Sequence, residues 1–84
     1  MLQIGTLVKV VDPSQLEDQA PKYEDQVGKI IGHDATDPAV DPLNIVAFLY
    51  CEDQYFKDHE LAVLAPEDPV AVRYTNFCKL VGHN

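Results

Sequence analysis

Tryptophan is absent from this 84-residue sequence, serine occurs once, and there are only two cysteines and four glycines. Cys51 and Cys78 make neither a disulfide framework nor a CxxC redox or zinc pair, so two reduced thiols are expected. Ser14 lies in a Pro-Ser loop without a glycine-rich elbow, which leaves no ordinary serine-nucleophile arrangement. Neither a G-x-x-x-x-G-K nor a G-x-G-x-x-G phosphate loop occurs. Apolar runs such as Ile45 to Cys51 fall far short of the roughly 20 residues that span a bilayer. Met1-Leu2-Gln3-Ile4 lacks the basic start and long apolar run of a signal peptide, so a cytoplasmic location without membrane association is expected.

Positive charge is also scarce. Fourteen acids stand against six bases, for a formal net charge of −8. Eight of the acids fall between Asp12 and Asp41, a stretch whose only bases are Lys22 and Lys29. Nucleic-acid backbones are bound by neutralising their phosphates with Lys and Arg, so direct nucleic-acid binding is not expected. An acidic field attracts a basic protein surface and speeds the encounter, although acidity also serves solubility alone.

What remains is a β-rich pattern. Hydrophobic residues make up 46% of the chain, enough for one small globular domain that buries about 60% of its unfolded surface. Gly5 to Val11 reads as a first strand, bounded by Asp12-Pro13. Residues 12–26 follow as a long polar loop in which Leu16 and Tyr23 are the large apolar exceptions. A second strand, Val27 to Ile31, ends at Gly32-His33-Asp34. The two Asp-Pro pairs of residues 33–43 then predict another irregular loop. Asn44 to Tyr50 is the strongest strand, with Val46 and Phe48 on one face and Ile45, Ala47 and Leu49 on the other. Its two apolar faces imply a cover on both sides. Glu52-Asp53-Gln54 forms a turn, Tyr55-Phe56 a short strand, Asp58 to Leu61 a helical turn, and Ala62 to Leu64 a last strand.

The tail from Ala65 fits two descriptions. Asp68 as N-cap, Pro69 at the first position, and Val70, Tyr74, Phe77 and Val81 at helical spacing predict a helix. Val-Ala-Val-Arg-Tyr-Thr is nonetheless β-prone. The helix is the favoured reading, and it would cover the second face of the 44–50 strand. Residues 1–64 form the body and 65–84 a C-terminal extension.

The succession Gly5-x-x-Val8-x-Val10, Val27-Gly28-x-Ile30, Val46-x-Phe48, Phe56 and Glu60-Leu61-x-Val63-Leu64 resembles small prokaryotic SH3-like barrels. In layout it is similar to the variable chain of ferredoxin–thioredoxin reductase and to the small SH3-like subunit of photosystem I. The resemblance implies a mainly β fold, a five-stranded SH3-like barrel with a C-terminal helix, acting as a non-catalytic accessory protein that docks on a larger one. Barrel closure hides strand edges, which agrees with five short strands. The absence of Trp and of an Ala-Leu-Tyr-Asp-Tyr-like segment argues against a polyproline groove.

No constellation in the sequence supports an enzyme, metal or cofactor. The His33, Asp34, Asp37, Asp41 loop departs from the EF-hand spacing and is broken by Pro38 and Pro42. Cys78 and His83, with Cys51 or His59, make a poor zinc set near the end of the sequence. Glu52 and Asp53 beside Cys51 disfavour its thiolate, the reverse of what a reactive cysteine needs. The expected partner-binding residues are Glu17, Asp18, Tyr23, Glu24 and Asp25 in one loop, with Asp34 and Asp37 in the other. The two loops would flank one face, Tyr23 serving as a rigid anchor and the carboxylates pairing with Lys or Arg of a basic partner protein; the alternative is a solubilising acidic rim with Tyr23 folded onto the barrel. The competing expectation is an acidic inhibitor or nucleic-acid mimic from a phage or mobile element, which needs carboxylates in a continuous stripe.

Overall fold

The computed structural model describes residues 1–36, 38, 39 and 41–80. Five strands, β1 (Leu7–Val10), β2 (Val27–Asp34), β3 (Leu43–Phe48), β4 (Gln54–Phe56) and β5 (Leu61–Val63), form one antiparallel sheet in the order β4-β3-β2-β1-β5. Two short helices, α1 (Ala20–Tyr23) and α2 (Pro69–Leu80), and two 3₁₀ segments, Ser14–Gln19 and Asp58–Glu60, complete it. The outer strands β4 and β5 do not pair, so the sheet stays open where closure into a barrel was expected.

Period-two alternation selects the core. Val8, Val10, Ile30, Val46, Phe48 and Phe56 point to one side of the sheet and are buried together with Leu61 and Tyr23. Phe48 sits edge-on between two rings, 5.2 Å from Tyr23 and 6.2 Å from Phe56 between centroids. Gly28 occurs where β2 presses closest to β3: a Cβ there would lie 2.5 Å from Val46 Cγ1 and 2.7 Å from the Ala47 carbonyl oxygen.

β2 runs past the Gly32 boundary read from the sequence. A register shift between Ile30 and Gly32 lets the strand resume, and His33 and Asp34 pair with Asn44 and Leu43. Asn44 faces the core side and is fully buried, with all its polar atoms engaged. It accepts from Leu2 N (2.9 Å) and donates to the Phe56 carbonyl (3.2 Å) and to Asp58 (2.7 Å). It thus ties the N-terminal residues to β4 and to the 3₁₀ turn that leads into β5. Glu60, also buried, accepts from Lys57 N at 2.6 Å and closes that turn.

The tail resolves as a helix. Asp68 accepts from Val70 N at 2.9 Å in the N-cap role, with Pro69 at the first position. Ala71 and Cys78, one seven-residue step apart, are its buried residues and face the sheet, with Tyr74 between them half-buried. α2 lies on the second face of the sheet, over β2, and meets Leu49 and Tyr50 just beyond β3. The cover expected over the 44–50 strand is thus centred on β2 and reaches that strand only at its end, at Leu49 and Tyr50. Val81, expected to continue the helical face, lies outside the described residues.

Candidate docking surface

The stretch from 12 to 26 was expected to be an irregular loop. It winds instead through the 3₁₀ segment and α1, and it packs on the core through Leu16 and Tyr23. Its lack of apolar periodicity follows from its brevity: neither helix exceeds two turns, and each sends one large side chain inward. Just before the segment, Asp12 accepts from Ser14 N at 3.2 Å in a local turn. The Ser14 hydroxyl and amide hold its carboxyl below the usual range.

Tyr23 is the main correction. It was assigned to the surface as an anchor, but its ring is 0% exposed and belongs to the core. Its hydroxyl donates to the Glu52 carbonyl at 3.0 Å and accepts from Gln54 Nε2 at 3.3 Å. A ring against Phe48 loses more apolar contact by leaving than an exposed position would return. The same tie has a consequence for charge. Together with a 3.9 Å contact from Cys51 Sγ to the Lys22 carbonyl, it sets the turn of residues 51–53 against residues 22 and 23. Glu52 and Asp53, read from the sequence as plain turn residues, thereby join the acidic segment.

Glu17, Asp18, Glu24 and Asp25 are all exposed, as expected. Glu17 and Asp25 both take positive φ, 52° and 62°. Asp25 tolerates this through its short polar side chain and occupies the turn that feeds β2, where Asp25 N donates to the Val10 carbonyl at 3.1 Å. Its carboxylate meets Lys9 Nζ at 3.6 Å and remains 70% exposed.

Asp34 does not join this group. It ends β2 while Asp25 precedes its start, which separates them by roughly 20 Å along the strand. The two acidic loops therefore stand at opposite ends of β2 rather than side by side. Asp34 accepts locally from Thr36 N (3.2 Å) and Thr36 Oγ1 (2.8 Å). Asp37 lies outside the described residues.

Among the described residues, no group of three or more His, Cys, Asp or Glu side chains is placed to hold a metal ion. Cys78 is buried beside Tyr74, whose phenol is pushed up to about 12 by burial first and by the neighbouring thiol second. No described helix is long and apolar enough to cross a membrane.

Sequence reasoning also missed a cleft between α2 and the sheet. It has a volume of about 260 Å³ and is lined by Val27, Leu49, Tyr50, Val70, Tyr74 and Phe77, with Asp25 and Arg73 as its charged members. The i, i+4, i+7 spacing of Val70, Tyr74 and Phe77 was the available signal, and it was read only as a packing face.

Comparison with protein-family models, with curated proteins and with solved structures finds no match for this chain.

Proposed function

We propose that this protein is a non-catalytic accessory or adaptor that docks through an acidic surface onto a basic protein. The observation that carries the reading is the Tyr23–Glu52 tie, which joins two acidic segments. Glu17, Asp18, Glu24, Asp25, Glu52 and Asp53 then occupy adjoining stretches in which Lys22 is the one base. Exposed carboxylates of this kind add little to stability, and their use is long-range attraction and charge-assisted hydrogen bonding to Arg or Lys. The separation of Asp34 from this group favours a compact acidic patch over the continuous stripe a nucleic-acid mimic requires.

The five-stranded order β4-β3-β2-β1-β5, with a 3₁₀ turn before β5, supports relating the fold to SH3-like barrels, in which a short helical turn precedes the last strand. In this reading the domain is a scaffold whose loops carry the interaction.

The test is simultaneous charge reversal of Glu17, Asp18, Glu24 and Asp25 to Lys. The melting temperature should change little, while basic proteins retained by the immobilised wild type at low salt should be lost. Equal retention by the variant would overturn the proposal. Retention should also weaken steeply with added salt, since exposed charges are screened within about 8 Å at physiological ionic strength.

A further inference from the structure

The cleft beside α2 combines aromatic walls with one accessible carboxylate. At about 260 Å³ it lies below the roughly 300–1,000 Å³ of sites for drug-sized molecules, so it suits a single side chain. Tyr50 is 73% exposed, and its ring packs on Phe77 with centroids 5.7 Å apart and planes at 58°. Asp25 is engaged by Lys9 through one oxygen, Oδ1, and its exposure leaves the carboxylate open to a second cation. We propose that this cleft receives an arginine side chain of the basic partner, an inference that rests on the docking reading above.

A guanidinium is planar and weakly hydrated. It stacks on aromatic faces while its fork donates to a carboxylate, so Tyr50 and Asp25 supply the two halves of its recognition. The surrounding charge agrees: the chain carries −8 overall, and Glu24 adjoins Asp25. The Tyr74 phenol, protonated at neutral pH, contributes a neutral wall.

Arg73 is the opposing feature. It lines the same cleft and its guanidinium makes no ion pair or hydrogen bond among the described residues, so it repels an incoming cation. Its side chain is exposed on a long flexible stem and can extend into solvent while the cleft fills. An anionic occupant would gain Arg73 but would meet Asp25 and the field of the whole molecule. Glu24 beside Asp25, and Glu52 and Asp53 just beyond Tyr50, bring the nearby acids to four against Lys9, Lys22 and Arg73, which favours the cation.

The probe is a short acetylated and amidated peptide of alternating Arg and Gly, titrated into the full chain and followed by the ring NMR signals of Tyr50, Tyr74 and Phe77. Those signals should move together. Tyr50→Ala and Asp25→Asn should each weaken binding by about three- to tenfold, and Arg73→Gln should strengthen it. Tyr50→Leu, which keeps the apolar bulk, should lose affinity as Tyr50→Ala does if stacking on the ring is the cause. If neither Tyr50 variant changes the affinity while reversal of Glu17, Asp18 and Glu24 lowers it, the cleft assignment fails and the acidic docking surface stands. A wild type that does not bind the peptide at low salt would overturn both. Preferential binding of a Glu-Gly peptide, lost in Arg73→Gln, would replace the cationic occupant with an anionic one and overturn this inference.

Discussion

The Tyr23 hydroxyl donates to the backbone carbonyl of Glu52 across a 3.0 Å hydrogen bond, joining the end of α1 to the turn between β3 and β4. The ring beneath it is core, and the turn above it is acidic. One residue therefore links the packing of the domain to the layout of its charged surface.

Tyr23→Phe keeps the ring and deletes the tie. The Glu52 carbonyl loses its donor and Gln54 Nε2 its acceptor, at a cost of about 1 kcal/mol. For a domain of this size that is a fall of about 4–8 °C in melting temperature. Amides of residues 51–54 should exchange faster with deuterium. Unchanged exchange there would mean the turn is held by something else.

Two glycines of β2 should respond very unequally to alanine. At Gly28 the added methyl meets Val46 and a backbone carbonyl that cannot yield, so Gly28→Ala should cost about 3 kcal/mol. At Gly32 the nearest atom is Ile45 Cδ1 at 3.4 Å, the mobile end of a side chain. Gly32→Ala should change stability by less than about 0.5 kcal/mol. Denaturant melts of the two variants check the pair, and similar midpoints would contradict the strand packing described.

Asn44→Ala removes the hub that joins Leu2, Phe56 and Asp58. It leaves the partly buried Leu2 amide and the Phe56 carbonyl without their partner, and about 2–3 kcal/mol of destabilisation is expected by chemical denaturation. The same site sets a pH dependence. The Asn44 amide, then the Met1 ammonium and the charge of His33, hold the Asp58 carboxyl below its usual range. A depressed folded-state pKa contributes stability that is complete above the unfolded value of about 3.9 and is lost as pH falls through the lower value. Asp58 is half-exposed, so the contribution is small. Asp58→Asn should flatten the stability profile below about pH 4, and a profile as steep as the wild type's would assign the acid sensitivity to other carboxylates.

Removing residues 66–84 uncovers Val27, Leu49 and the second face of β2. A loss of roughly 2 kcal/mol, about 10 °C in melting temperature, is expected. A truncated domain melting with the full chain would mean that α2 adds nothing to the fold.

The sequence by itself determined the strands, because alternation of apolar residues at period two dictates which faces can be buried whatever the partner. Val8, Val10, Val46 and Phe48 were legible in this way, while the helix after Asp68 and Pro69 was the favoured of two readings. Tertiary structure decided the rest. Tyr23 stands among acids in the sequence and reads as surface, but its ring fills space beside Phe48 that no neighbour in the chain reveals. Whether the acidic loops meet depends on the direction and length of β2, and that strand holds them apart while a hydrogen bond from Tyr23 recruits Glu52 and Asp53. The sheet's openness and the cleft under α2 likewise arise from contacts between residues far apart in the chain. Local pattern specifies which side chains prefer burial, and only the packed chain specifies which charges become neighbours.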